Sequence, residues 1–494
     1  MDTIKNYIDG KWVVGGSGRT FDSINPADRR EVIATVSAVD KSDIDHAVEA
    51  ARKAYKTWSR TPAPKRGEIL FRAAEGILRE KDRLGALVTR EMGKVLKEGL
   101  GDVREAADIA YYMAGEGRRL SGETVPSELM DKDMKSVREP VGVFALVTPW
   151  NFPIAIPAWK IFAALIAGNT AVFKPSSLTP ACAYELVRIL EAAGLPPGVL
   201  NLVNGPGGET GDYLVTHPGI DGVSFTGSSL IGEHIIKTVA KPGRRVTAEM
   251  GGKNAIVVMD DADIGLAVEG AIWGGFGTSG QRCTAASRVV VHKDVYNEFL
   301  DRFVAAAKSL KLGDGLKPAT DVGPIVSDEQ LKRVLYYMQL GINEGAKVET
   351  GGQHCTHPGL EYGYFMEPTV LTGVTRGMRV AHEEIFGPVV AVMKADSFED
   401  AIDIVNATDY GLVASIYTRD TRKAAVAERD IETGIVYVNA STIGAEVHLP
   451  FGGFKRSGYG GKEAGGRGGA LDVFTRWKTI YRDFSGRLQK AQIT

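Results

Sequence analysis

The sequence predicts an α/β protein whose parallel sheets are covered by helices on both faces. Two observations carry that prediction. Between about residues 141 and 251, short apolar runs alternate with amphipathic runs of helical length, and a second alternation runs from 255 to 439. The apolar runs are near-continuous instead of alternating with polar residues, as expected of strands buried on both faces. The composition, 44% hydrophobic and 24% charged over 494 residues, is that of an ordinary globular chain with about two or three domains.

An early helix opens the pattern: Asp40 can cap it, and Ile44, Val48, Ala51 and Tyr55 then fall on one face. In the first alternation, strands are predicted over Val141–Val147, Thr170–Phe173, Val199–Val203, Gly222–Phe225 and Val246–Glu249. Helices are predicted over Ala155–Ala167 and Ala181–Ala193, the latter stopped by Gly194 and Pro196, and from Leu230 onward. The second alternation offers strands at Ala255–Val258, Ser287–Val291, Glu367–Leu371, Val389–Val392 and Val436–Asn439. Its helices are Ile264–Trp273, Val295–Leu310 and Ser397–Asn406. After a glycine-rich stretch, Gly452 to Gly469, a strand-like run Thr479–Phe484 is expected to pair, with another subunit as a candidate partner. In parallel sheets ligands sit at the carboxyl ends of the strands, so the residues after each run are the ones to inspect.

Charge and cysteine content exclude several classes. With 59 Lys and Arg against 61 Asp and Glu, the net charge of −2 gives no basic footprint for nucleic acid. Cys182, Cys283 and Cys355 are too few and scattered for a disulfide framework, which fits a reducing compartment. The start, MDTIKNYIDGKW, lacks the apolar core of a signal peptide. The most apolar stretch, Ile154 to Ala167, contains Pro157 and Lys160 and is too short to span a bilayer. A cytoplasmic protein with no membrane or nucleic-acid partner is expected.

Several residues suggest chemistry. Gly275 to Gly280 matches GxGxxG, but it follows a helical pattern and not a strand, so it lacks the context that gives that motif its phosphate-binding mechanism. Its use is a backbone that lets something approach closely, three residues before Cys283. Cys283, in Gly280-Gln-Arg-Cys-Thr, is either an inert buried thiol or a nucleophile, and the adjacent Arg282 would favour a thiolate. Cys182 reads as core. Cys355 with His354 and His357 forms no convincing metal site, and none is expected. Glu249 closes an apolar strand, as a salt-bridged group or as a general base. Asn151, just past a strand end, is a turn residue or an oxyanion donor. Lys174 ends the next strand, where it is solvated or reaches a ribose or phosphate. Phe225-Thr-Gly-Ser228 ends a fourth strand with residues suited to close approach.

Together these segments resemble the NAD(P)-dependent aldehyde dehydrogenase superfamily over essentially the whole length. The matching motifs are TPWNFP around Asn151, FKPSS around Lys174, GPGGETG at 205–211 and FTGSSLIG at 225–232. EMGGKN at Glu249, GQRC at Cys283, EEIFGP at Glu384 and PFGGFKRSG at 450–458 complete the set, in order and in register. The resemblance implies that Cys283 attacks the aldehyde carbon, that Asn151 and the Cys283 backbone N–H hold the oxyanion, and that Glu249 activates the water that hydrolyses a thioester. It implies a cofactor site made from Thr148, Pro149, Trp150, Lys174, Ser176, Ser177, Gly207, Gly211, Phe225, Gly227 and Ser228, with Glu384 and Phe386 at the nicotinamide ribose.

Ser177 stands where NAD-preferring relatives often carry a glutamate, so NADP is expected to be accepted and preferred, with NAD usable. Phe152, Arg282 and Phe451 are expected in the substrate pocket, with Arg282 facing an anionic end and Lys455 and Arg456 as second choices. The segment with Glu446 and His448 looks like the 2-oxoglutarate semialdehyde (2,5-dioxopentanoate) dehydrogenase branch. Succinate-semialdehyde, glyceraldehyde-type and broad-range enzymes are the alternatives. Outside the class stands a Cys/Glu acyl-transfer enzyme or esterase. The implied architecture is a Rossmann-type cofactor domain (1–117 and 140–251), an α/β catalytic domain (252–470) and a small β oligomerisation arm (118–139 and 471–494). A homo-oligomer, dimer or dimer of dimers, follows from that arm.

Overall fold

A computed structural model describes residues 3–241, 243–490 and 492. The sequence expectations at 1–2 and at 491, 493 and 494 lie outside the described residues. Two large sheets organise the chain. The first has eight strands, in the order Lys11–Val13, Asn6–Ile8, Leu200–Leu202, Thr170–Lys174, Val143–Val147, Gly222–Thr226, Arg245–Glu249 and Gly458–Tyr459. From Leu200–Leu202 to Arg245–Glu249 its neighbours are parallel, as predicted. The second sheet has seven strands, in the order Lys347–Thr350, Thr369–Thr372, Val389–Ala395, Arg288–His292, Ala255–Val258, Val413–Tyr417 and Ile435–Val438, parallel except at the Lys347–Thr350 edge. The α/β class with parallel sheets is therefore the one observed.

Helix positions follow from local chemistry. Lys41–Trp58 starts with a reciprocal capping box between Asp40 and Asp43, which satisfies otherwise orphaned backbone donors. Ala155–Ala167 ends at Gly168, whose φ of 94° suits glycine. All thirteen of its residues are buried because it packs between the first sheet and the helix Leu96–Glu116. That helix and its predecessors, Ala63–Arg79 and Lys81–Met92, form much of the first core yet are absent from the sequence reading. None has a side-chain cap, and Leu96–Glu116 carries Gly99, Gly101 and Gly115, but Ala63–Arg79 has Pro64 in its first turn and Leu70, Ala73, Ala74 and Ile77 on one face, a signal that the sequence reading missed.

The final strand runs Thr475–Asp483 and pairs over nine residues with Lys132–Pro140 of the same chain. Glu123–Pro126 completes a three-stranded sheet, so among the described residues both outer strands keep an unpaired edge. The expected arm and core boundaries differ slightly from the packing: Leu471, Val473 and Phe474 belong to the first core. Gly458–Tyr459 likewise joins the first sheet. No helix among the described residues is long and apolar enough to cross a membrane.

Candidate active site

Parallel strands aim their carboxyl ends the same way, and here the ends at Val147, Lys174 and Thr226 open on one cavity of about 670 Å³. Every residue expected at the cofactor lines it: Thr148, Pro149, Trp150, Lys174, Ser176, Ser177, Gly207, Gly211, Phe225, Gly227, Ser228, Glu384 and Phe386. A second cavity, of about 910 Å³, holds Phe152, Arg282 and Phe451 in its wall together with Glu249. Cys283 borders both, as do Ile156, Thr226 and Met250. The thiol stands at the junction of two chambers.

The turn that presents Cys283 is strained. After the helix Ile264–Phe276, Thr278 and Ser279 have φ of 52° and 56°, in the left-handed region disfavoured for residues with a Cβ. Gly280 has φ of 67°, and a Cβ there would stand 2.1 Å from the Gly387 carbonyl oxygen. The GxGxxG segment is thus a close-approach device and not a nucleotide loop. Buried Gln281 locks the turn: its amide donates to the Pro324 carbonyl at 3.2 Å, and its Oε1 accepts from the Val326 N–H at 2.9 Å.

Arg282 does not create a thiolate. Its guanidinium donates to Glu98 at 3.1 Å and to Thr278 Oγ1 at 2.8 Å, so its charge is already answered. Burial, with the charges of Glu384, Glu463 and Glu249 behind it, pushes the Cys283 thiol up to about 12. The expectation of a thiol lowered by Arg282 is corrected: burial, with Glu384 next, raises the thiol, and the arginine is already paired with Glu98.

Glu249 is buried, with Oε2 accepting the Gly453 N–H at 3.1 Å and Oε1 without a partner among the described residues. Burial first, then the charge of Glu463, raises its carboxyl well above the ordinary range. Glu463 is itself held by Lys160 and Thr226 Oγ1. Asn151 donates one amide hydrogen to the Gln281 carbonyl at 3.2 Å. An amide nitrogen has two hydrogens, so one remains for another acceptor.

The smaller cavity fits a dinucleotide. Among the described residues, Gly207 and Gly208 leave open space where a Cβ would stand, and Thr148 Oγ1 is buried without a partner. Lys174, whose buried ammonium is pushed down to about 8 by desolvation, donates to the Pro175 carbonyl at 2.9 Å. Gly251 admits the Glu384 carboxyl, which would lie 2.2 Å from a Cβ there and which accepts the Gly252 N–H at 3.0 Å. Phe386 packs edge-on against Trp150 at 5.4 Å with a strained φ of 62°.

The sequence profile of the aldehyde dehydrogenase family matches residues 12–480. The chain belongs to the aldehyde dehydrogenase family. It is 44% identical to an alpha-ketoglutarate semialdehyde dehydrogenase of Haloferax volcanii over 98% of this chain and 100% of the other. Identity to a 2,5-dioxopentanoate dehydrogenase of Saccharolobus solfataricus is also 44%, over 97% and 99% of the two chains. A crystal structure of Staphylococcus aureus betaine aldehyde dehydrogenase in complex with NAD+ superposes with a TM-score of 0.95 at 36% identity, covering 99% of this chain and 97% of that one. The family membership makes the protein an NAD(P)-dependent aldehyde dehydrogenase.

Within the family frame, some functional positions escaped the sequence reading. Gln330 donates to the Phe386 carbonyl at 2.9 Å and Arg333 to the Glu384 carbonyl at 2.9 Å, together fixing the loop at the cofactor cavity. Both stand on the helix Asp328–Asn343, which its Ser327 cap and the helical spacing of Leu331, Val334 and Met338 could have signalled. Lys455 and Arg456 border neither cavity and are paired, with Glu432 and with Glu233 and Asp409. Cys182 is core, and among the described residues no group of three metal-binding side chains occurs.

Proposed function

We propose that the enzyme oxidises an oxo-acid semialdehyde, such as 2,5-dioxopentanoate, to the acid through a thioester on Cys283. The observation that carries this reading is that Cys283 borders both chambers, with Glu249 in the wall of the larger. The names of the relatives from Haloferax and Saccharolobus support the substrate class.

NAD(P)+, when bound, accepts the hydride. The chain's own residues do the rest. Lys174, Ser176 and Ser177 would hold the adenosine ribose, Gly207, Gly211, Gly227 and Ser228 the diphosphate, and Glu384 with Phe386 the nicotinamide ribose. Cys283 Sγ gives up its proton to solvent water and bonds to the aldehyde carbon, while the free Asn151 amide hydrogen and the Cys283 N–H meet the oxyanion. Glu249, once deprotonated, takes a proton from water, and the hydroxide attacks the thioester carbonyl and releases the Cys283 thiolate. The unpartnered Oε1 of Glu249 is the atom available for that water.

Ser177 puts a hydroxyl, and no carboxylate, at the ribose end, so NADP is preferred and NAD is also used. The apolar and aromatic groups exposed on the three-stranded sheet, Val125, Trp477 and Tyr481, with Met130 in its connecting turn and its open edges, suit burial against a second copy. Three unpaired cysteines suit the cytoplasm. The test is a panel of 2,5-dioxopentanoate, succinate semialdehyde, glyceraldehyde and pentanal against both cofactors. The highest kcat/KM should fall on 2,5-dioxopentanoate with NADP. Ester hydrolysis without aldehyde oxidation would instead favour an acyl-transfer enzyme.

A further inference from the structure

The larger cavity has one wall that the chemistry at Cys283 does not use. On the helix Leu96–Glu116, Lys97, Gly101 and Glu105 are spaced by four residues and so share one face, and all three line the cavity. Their neighbours Glu98 and Asp102 also reach it but are engaged, Glu98 by Arg282 at 3.1 Å and Asp102 by Lys94 at 3.0 Å. Lys97 and Glu105 have neither a hydrogen bond nor an ion pair within the described residues. A Cβ at Gly101 would meet nothing within 4 Å, so the helix leaves a gap between the two side chains.

Resting on the oxo-acid reading above, we infer that Lys97, Gly101 and Glu105 form the subsite that binds the distal 2-oxo acid end of the substrate. Lys97 and Arg282 are the only cationic side chains in the cavity wall among the described residues, and Arg282 is already paired. Lys97 is therefore the cation free to meet a carboxylate. Glu105 complements it: burial, then the charge of Asp102, pushes its carboxyl up to about 8, so near neutrality it carries a proton and donates a hydrogen bond. A 2-oxo acid end offers acceptors only, through its carboxylate and keto oxygens, and a cation beside a protonated carboxyl matches that set. Gly101 lets the end group reach the helix between them. Glu269 and Asp321 border the same cavity, and their charge would instead favour a cationic aldehyde if Lys97 did not govern the choice.

The experiment uses the full-length enzyme with NADP+ and three aldehydes: 2,5-dioxopentanoate, pentanal and trimethylammonio-acetaldehyde. For Lys97→Met, the kcat/KM ratio of 2,5-dioxopentanoate over pentanal should fall about 10- to 100-fold, the scale of one charge-assisted contact, and Lys97→Arg should recover most of it. Glu105→Gln, which keeps an N–H donor, should stay within about threefold of wild type, whereas Glu105→Leu should lower the ratio about tenfold. A second readout needs no turnover: 2-oxoglutarate, the expected product, should slow iodoacetamide labelling of Cys283 in the wild type and not in Lys97→Met. An unchanged ratio and unchanged protection in Lys97→Met would overturn the subsite while leaving the oxo-acid reading intact. A wild-type enzyme that prefers pentanal or the trimethylammonium aldehyde would overturn the oxo-acid reading itself, and the subsite with it.

Discussion

Glu98 and Arg282 form an ion pair at 3.1 Å that joins the N-terminal helix Leu96–Glu116 to the residue before Cys283. Glu98 also accepts the Thr278 N–H at 2.9 Å, so one carboxylate holds both the strained turn and the arginine that follows it. Removing one partner of a largely buried pair leaves the other uncompensated, at a cost of about 3–5 kcal/mol when burial is complete. Glu98→Ala is expected to lower both Tm and kcat, with Glu98→Gln, which keeps an acceptor for Thr278, milder on both. Thermal unfolding and steady-state kinetics of the two variants check this, and unchanged values would remove Glu98 from the support of the turn.

Glu249→Gln is expected to slow thioester hydrolysis by about 10²–10⁴-fold, because an amide cannot take the proton from water. Acylation does not require that proton transfer, so a burst of NADPH on the first turnover should survive. Stopped-flow absorbance reads both phases. A variant with full steady-state turnover would move the base elsewhere.

Ser177→Glu should shift the cofactor preference from NADP toward NAD. A carboxylate there repels a 2′-phosphate and accepts from free ribose hydroxyls, worth roughly 1–3 kcal/mol together. The ratio of kcat/KM for the two cofactors measures it, and no change would mean that Ser177 does not meet the ribose.

Because the Cys283 thiol is pushed up to about 12, the thiolate fraction in the cofactor-free enzyme is small at neutral pH and grows as pH rises. Iodoacetamide labelling should therefore accelerate about tenfold per pH unit from 7 to 10, without levelling off. A plateau below pH 8 would mean that the thiolate is already formed.

The fold and the reacting groups were legible to different depths. Strands such as Ala255–Val258 and the helix Ala155–Ala167 stand where their apolar runs predicted, because burial on both faces leaves a continuous hydrophobic signature. Cys283, Glu249 and Asn151 announced themselves as polar residues at strand ends or glycine turns. The pairing of Arg282 did not: its partner Glu98 lies 184 residues away on a helix without a side-chain cap. The same distance hid Lys97 and Glu105, which stand on a helix that the sequence reading did not identify and meet the cavity only in the fold. The thiol's direction of shift was missed for a related reason, since Glu384 and Glu463 approach Cys283 only in three dimensions.

The most direct test of the thioester at Cys283 is the mass of the acid-quenched Glu249→Gln variant after mixing with 2,5-dioxopentanoate and NADP+. The peptide containing Cys283 should gain the mass of the substrate less two hydrogens, with Cys182 and Cys355 unmodified. NADPH formed in the burst without that adduct, or an adduct on another residue, would contradict the account.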